Sequence, residues 1–351
     1  MDAQPFIQFE NITKSFGKKV IIDNLNLNIP YKEIFGVIGK SGSGKTTLLS
    51  LLIGFLKPDK GQVLFQSRDI HRDLQNVQQQ FGFAAQEGSF YPKLTVQENL
   101  EYFGKMYNLS RLNLKEKIPE LLKLVELEDA RDLLGWKLSS GMQKRLDIAC
   151  ALIHDPKVLI LDEPTEDLDP ALRNEILDLL QKINREKDIT IIVTSHLLDE
   201  VEYLCNEVAV LDKKKIIDSG NINELKDKYA KYSEVTLETE DRDYSKVIKK
   251  LKGRDDIKKY SVRGNKIFIY TTQKGEKALK SILSLARKEK LKVIGISLGK
   301  PSLEEIFEEL TKAEVNPKPQ IKQISEVKGI KKDDIKTDRD NKKELQTVNP
   351  I

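Results

Sequence analysis

Residues Gly39, Lys40, Ser41, Gly42, Ser43, Gly44, Lys45 and Thr46 satisfy the pattern G-x-x-x-x-G-K-[ST] without departure. The apolar run IFGVIG (34–39) precedes them and TTLLSLLIGF follows, so the loop joins a strand to a helix. Glycines let successive backbone N–H groups curl around an anion, and the helix N-terminus adds its dipole. Lys45 is placed to reach the β- and γ-phosphates of a nucleoside triphosphate. The Thr46 hydroxyl suits Mg2+, a hard cation that prefers oxygen. Thr47 follows in the first turn and is counted with the phosphate-binding residues.

A second chemical signal is KVLILDEP (157–164), four apolar residues running into Asp162 and Glu163. Beside a phosphate-binding loop, Asp162 is expected to hold Mg2+ through water. Glu163 is expected to polarise the attacking water.

These residues need a scaffold that delivers strand ends to one place. Strand-like runs FIQFE (6–10), IFGVIG (34–39), QVLFQ (62–66), FGFAA (81–85), KVLILD (157–162) and ITIIVT (189–194) alternate with helical patterns. Continuous apolar runs such as VLIL suit parallel strands covered on both faces. The expectation is an α/β domain over residues 1–225 with a parallel-sheet core. A second unit over 230–312 reads strand, helix, strand, strand, helix, strand, the order of a ferredoxin-like α+β domain, ending in an amphipathic helix at 302–312. From 313 to 351 the chain has no aromatic residue and dense charge of both signs, which predicts disorder.

Composition narrows the function. Of 351 residues, 39% are hydrophobic and 32% charged, enough for a sizeable core and too charged for an integral membrane protein. The longest apolar run, Leu48 to Leu56, is about half of the ~20 residues a spanning helix needs. The N-terminus carries no signal-peptide pattern. Cys150 and Cys205 lie far apart, which argues against a disulfide framework or a structural zinc. A net charge of +4, with basic and acidic residues interleaved, gives no basic face for nucleic acid, and none is expected as a partner.

The ordered motifs resemble those of ATP-binding subunits of ABC transporters over residues 6 to about 220. Gln86, in FAAQEGSFYPKLTVQENL, resembles the glutamine loop. LSSGMQKRLDIACAL resembles the signature helix, Glu166 to Asp169 the D-loop, and His196, after ITIIVTS, the switch histidine. The resemblance implies a P-loop ATPase fold of ABC type, with a parallel-sheet core and antiparallel β and helical subdomains, and it implies roles. Phe16 stacks on adenine; Gln86 binds Mg2+ or the attacking water; His196 contacts the γ-phosphate. Ser139, Ser140 and Gly141 bind the γ-phosphate held by the opposite protomer. One chain then carries half of each site, so two copies, or this chain and another ABC ATPase, enclose two ATP molecules. His71 and His154 have no such context and read as structural.

Several residues depart from the family pattern. Ser140 stands where glycine is usual, Met142 where glutamine is common, and Glu166 and Asp167 where residues are small. Added carboxylates near ATP oppose closure, so these departures bear on turnover more than on binding. YPKLTVQENLEYFGKMYNL and SLEEIFEELT resemble the branch serving drug, antibiotic, sodium or lipid exporters. The expected function is an ATPase on the cytoplasmic face of the membrane that powers export through a separate transmembrane permease. The alternative is a soluble ATP-gated switch without transport. The second unit is a brace, a dimerisation element or an effector site; its pattern does not separate these.

Overall fold

The computed structural model describes residues 5–229, 232–300 and 302–313. The expected tail, 313–351, lies outside the described residues except for Ala313, which ends a helix rather than opening a disordered segment.

The chain opens with a hairpin, β1 (Ile7–Phe16) and β2 (Lys19–Ile29), and then enters β3 (Ile34–Ile38) and α1 (Lys45–Leu52). Next come β4 (Lys60–Phe65), β5 (Arg68–Asp69), α2 (Leu74–Gln78) and β6 (Phe81–Ala84). A helical segment follows, with α3 (Val96–Met106), α4 (Arg111–Leu124) and α5 (Ser140–Leu152). Then β7 (Val158–Asp162), α6 (Pro170–Lys187), β8 (Thr190–Ser195), α7 (Leu198–Leu204), β9 (Glu207–Asp212), β10 (Lys215–Asn221) and α8 (Ile222–Tyr229) complete this part.

Two sheets form from these strands. One is antiparallel, in the order β2-β1-β4-β5. The other runs β10-β9-β3-β8-β7-β6, parallel except for β10 at its edge. Every residue of β3, β7 and β8 is buried. Alternate side chains serve opposite faces. Val158 and Ile160 pack with α1 and the antiparallel sheet, whereas Leu159 and Leu161 pack with α5 and α6. This two-sided burial is why these strands read as unbroken apolar runs. FIQFE and QVLFQ were the exceptions among the sequence-predicted strands, since both fall in the antiparallel sheet.

Helix starts follow capping chemistry. Thr95 and Glu98 form a reciprocal capping box on α3. Ser139 caps α5 through Met142 N–H, and Asp169 caps α6, with Pro170 in the first turn.

The third sheet is built from β11 (Ser233–Thr239), β12 (Ile257–Arg263), β13 (Lys266–Thr271) and β14 (Val293–Gly299) in the order β12-β13-β11-β14. All its pairings are antiparallel. Helices α9 (Ser245–Leu251) and α10 (Glu276–Lys288) bury Val247, Leu251, Ala278, Ile282 and Ala286 against Val235, Leu237, Ile267 and Ile269. The last helix, α11 (Leu303–Ala313), leaves that core. Its Leu303, Ile306 and Leu310 join the core that holds α7 and α8, and the Leu303 N–H donates to Glu202 at 2.8 Å. Among the helices of the described residues, none is long and apolar enough to cross a membrane.

Candidate functional site

β3 ends at Ile38 and the chain turns through 39–44 into α1. Gly39 permits a close approach: a Cβ there would lie 2.4 Å from the Leu211 carbonyl oxygen and 2.5 Å from Ser43 Oγ. Gly44 precedes the helix with φ of 110°, a conformation that side chains oppose. Ser43 Oγ is buried without a partner. Lys45 is buried too, its Nζ donating to the Gly39 carbonyl at 2.9 Å. This turn forms one wall of an open cleft of 520 Å³, lined by Ser41, Gly42, Gly44, Lys45, Thr46 and Thr47. Gln86, Glu163, Glu166 and His196 line it from other elements.

β7 brings the acidic pair to the same place. Glu163 sits just past the strand with φ of 49°, left-handed for a residue with a side chain. Thr194 of the neighbouring β8 holds both acids. Its hydroxyl donates to Asp162 Oδ1 at 2.5 Å, and the Glu163 N–H donates to that hydroxyl at 3.1 Å. The two Glu163 oxygens face different partners. Oε1 is 3.2 Å from Lys45 Nζ; Oε2 is 2.9 Å from His196 Nδ1 and accepts the His196 backbone N–H at 3.2 Å. The side chains of Lys45 and Glu163 are 8% and 11% exposed, so this ion pair is shielded from bulk water.

Gln86 leaves the end of β6, and its Nε2 donates to the Glu166 carboxylate. Asp162 is buried and does not line the cleft. Phe16 ends β1 half-exposed, with Lys14 Nζ 5.7 Å from its ring centroid. An exposed ring is free to stack on a base, which a core phenylalanine is not. The structure thus gathers Ser41, Gly42, Gly44 to Thr47, Gln86, Glu163 and His196 about one cleft, whereas Gly39, Lys40 and Ser43 do not line it. It does not bring Ser139, Ser140 or Gly141 there: the serines are exposed at the start of α5, and Gly141 packs on Leu172.

Comparisons with known proteins agree with this geometry. The profile of the family described as ABC transporter matches residues 22–166. One described as the ATP-binding protein DrrA1-3-like, C-terminal domain, matches 220–311. The linearmycin resistance ATP-binding protein LnrL of Bacillus subtilis is 33% identical over 308 residues, covering 87% of this chain and 98% of the relative. The bacitracin transport ATP-binding protein BcrA of Bacillus licheniformis is 32% identical, covering 87% and 96%. The chain belongs to the ABC transporter ATP-binding proteins. It is the ATP-binding subunit of an ABC exporter, an ATPase coupled to transport, in the antibiotic-export branch.

Solved structures agree. That of cbiO1 from Clostridium perfringens, part of the ABC transporter complex cbiONQ, superposes with TM-score 0.60 at 29% identity, covering 64% of this chain and 91% of that one. A dimeric ATP-binding cassette in a post-hydrolysis state with ADP and Pi superposes with TM-score 0.55 at 28% identity, covering 62% and 98%.

For an ABC ATPase, Thr46, Gln86 and Asp162 supply a hydroxyl, an amide oxygen and one carboxylate. That donor set fits Mg2+, which takes few protein ligands beside substrate phosphates and water. Among the described residues no group of three or more His, Cys, Asp or Glu is arranged to hold a metal.

Sequence reasoning missed three contributors. Lys19 and Ile21 line the cleft from β2. Their signal was a lysine pair running into three apolar residues, Lys18 to Ile22, just after the Phe16-Gly17 turn. Thr194 was invisible, because its role depends on the pairing of Asp162 with Thr194 across β7 and β8.

Proposed function

We propose that two copies of this chain, or this chain and a related one, enclose two Mg–ATP molecules, and that closure drives export of an antibiotic-like substrate through a separate transmembrane permease. The chain then works at the cytoplasmic face of the membrane. One observation carries the reading: the phosphate loop, Glu163 and His196 share a cleft from which the signature serines are absent. A γ-phosphate in that cleft has an unfilled side, and the exposed Ser139 and Ser140 of a partner suit it.

The chemistry follows from the resting contacts. Lys45 transfers from Glu163 to the β- and γ-phosphates, which frees Glu163 Oε1. That oxygen accepts a proton from the water attacking the γ-phosphorus, while His196 keeps Oε2 in place. Thr46, Gln86 and Asp162 would hold Mg2+, which supplies positive charge against the phosphate oxygens. Closure is favoured because ATP meets both partners only in the closed state, and loss of phosphate reverses it. The substrate class rests on the relatives named for linearmycin resistance and bacitracin transport.

The test is Glu163→Gln. The variant is expected to bind ATP, lose turnover and accumulate as an ATP-dependent dimer by size-exclusion chromatography with light scattering. A variant that turns over normally removes Glu163 from its role. Affinity purification of the tagged chain from solubilised membranes of its host tests the permease: no co-purifying polytopic protein means no such partner.

A further inference from the structure

Two segments of this chain lie apart in sequence and are joined in space. Residues 86–97 run from the glutamine to the start of α3. Residues 131–138 lead into the signature helix α5. Four backbone bonds join them: Val96 N–H to Leu133 at 3.0 Å, Gln97 N–H to Arg131 at 3.0 Å, Gly135 N–H to Leu94 at 2.9 Å, and Trp136 N–H to Pro92 at 2.9 Å. Asn99, fully buried, holds the same loop by accepting from Tyr91 N–H at 2.7 Å and donating to the Thr95 carbonyl at 2.9 Å. These ties stop at residue 91. Toward Gln86, whose side chain is held by Glu166, the loop backbone is met by side chains of α5.

Asp147 of α5 takes up that stretch. Its Oδ1 accepts the Ser89 N–H at 2.6 Å, three residues beyond Gln86. One turn earlier on the helix, Lys144 Nζ donates to the Gln86 carbonyl at 3.4 Å. Asp147 is 1% exposed, and its Oδ2 is buried with no partner. It lines a cavity of 230 Å³ together with Gln86, Ser140 and Glu166. Burial pushes its carboxyl up to about 6, with the Ser89 N–H and the Lys144 ammonium opposing that shift. A carboxyl group is costly to bury here, and packing alone does not need one. Its distinguishing service is the acceptor it offers to Ser89.

We propose that Asp147 is a positioning residue for ATP turnover: it ties the Gln86 loop to the signature helix, so that Gln86 and Ser139 to Gly141 shift together when nucleotide binds. The proposal rests on the reading of Gln86 and the signature segment as nucleotide contacts. Gln86 meets the chain's own nucleotide, while the signature segment meets the partner's. Asp147 therefore links the occupancy of one site to the completion of the other. Lys144 contributes the weaker second tie.

The chain carries its own reporter. Trp136 is the single tryptophan, it is 59% exposed, and its N–H is bonded to the Gln86 loop at Pro92. The experiment uses the full chain and three readouts: affinity for a fluorescent ATP analogue, the change in Trp136 emission on adding Mg–ATP, and steady-state kcat and KM. Asp147→Ala is expected to bind the analogue within about twofold of wild type and keep its KM. Its kcat should fall on the order of 10- to 100-fold, the scale of a misplaced positioning contact, with the Trp136 response lost. Asp147→Asn retains an acceptor for Ser89 and is expected to keep both kcat and the response. Ser89→Pro deletes the donor from a loop outside the core and should reproduce Asp147→Ala, so it decides the matter if that variant folds poorly. Normal kcat and Trp136 response in either Asp147→Ala or Ser89→Pro overturns the proposal, as does failure of Asp147→Asn to rescue. Wild-type chain that binds no analogue overturns the underlying reading of the cleft instead, and that is seen before any substitution is made.

Discussion

The side-chain amide of Gln86 donates to the carboxylate of Glu166. A carboxylate only accepts, so the contact fixes which end of the amide is engaged. Nε2 faces Glu166 and Oε1, the end that suits Mg2+ or water, is left available. Glu166 is one of the departures from the family pattern, and the structure gives it an orienting task beside its negative charge.

Two consequences of Glu166→Thr can be told apart by size. Loss of one exposed charge near ATP is worth about 1 kcal/mol at 4 Å in water, or roughly a fivefold gain in nucleotide affinity at most. Loss of an orienting partner to a metal ligand typically costs 10- to 100-fold in metal affinity. The variant is therefore expected to need about tenfold more Mg2+ for half-maximal ATPase, with nucleotide affinity equal or slightly tighter. An unchanged Mg2+ requirement would show that Gln86 needs no such partner.

The Lys45–Glu163 pair predicts a coupling that a simple phosphate clamp does not. Lys45→Ala is expected to weaken ATP binding strongly. Without nucleotide it also strands the Glu163 carboxylate, which is 11% exposed and is left with its His196 contacts. Breaking a buried pair from one side is the costly way to break it. Glu163→Gln removes the stranded charge, so the double variant should lose less stability than the two single variants summed. A coupling of about 1 to 3 kcal/mol is expected from chemical denaturation of the four proteins. Strict additivity would mean that the two groups do not interact in the resting state.

The site was legible wherever it was written in consecutive residues. The phosphate loop needed only its spacing and its flanking strand and helix. The parallel strands announced themselves as VLIL and IIV because both faces are covered. β2 and β10 went unremarked in the sequence, since the burial of β2 alternates and β10 lies at a sheet edge; β9 is short, and its apolar run spans only Val208 to Leu211. α11 shows why partners are harder than elements. Its Leu303, Ile306 and Leu310 spell an amphipathic helix, but nothing in that spacing tells whether it covers its own α+β sheet or returns to α7 and α8. Thr194 and Asp147 were hidden for a related reason. Each acts through a contact set by strand pairing or helix docking, at sequence separations of 32 and 58 residues.

Ser140 occupies the first turn of α5 and is exposed outside the cleft. In the proposed dimer, a side chain there would stand between the helix N-terminus and the phosphate presented by a partner. If that phosphate is bound by backbone N–H groups, removing the side chain improves the approach. Ser140→Gly is expected to raise ATPase several-fold without altering nucleotide affinity in the monomer, because in the proposed dimer the residue serves the partner's site. A drop in turnover would instead assign the hydroxyl a hydrogen bond to the phosphate.

His154 predicts a pH dependence of stability that is separate from catalysis. Its ring stacks on Tyr107 with centroids 3.5 Å apart, and its Nε2 donates to the Phe81 carbonyl at 3.1 Å. Nδ1 is buried without a partner, and burial lowers the imidazole from its ordinary 6.5 to about 4. The unfolded chain therefore takes up this proton first as the pH falls. Stability from neutral His154 is complete above about pH 6.5 and is lost progressively down to about 4. Asp147 acts in the opposite sense, because its raised carboxyl is protonated first in the folded chain, so the wild-type profile alone conceals both. His154→Phe keeps a ring on Tyr107 and removes the titration. Its stability relative to wild type should improve by about 2 to 3 kcal/mol between pH 7.5 and 4.5, at 1.36 kcal/mol per pKa unit. Denaturant unfolding at the two pH values measures this, and a difference that stays constant would mean that His154 titrates alike in the folded and unfolded chain.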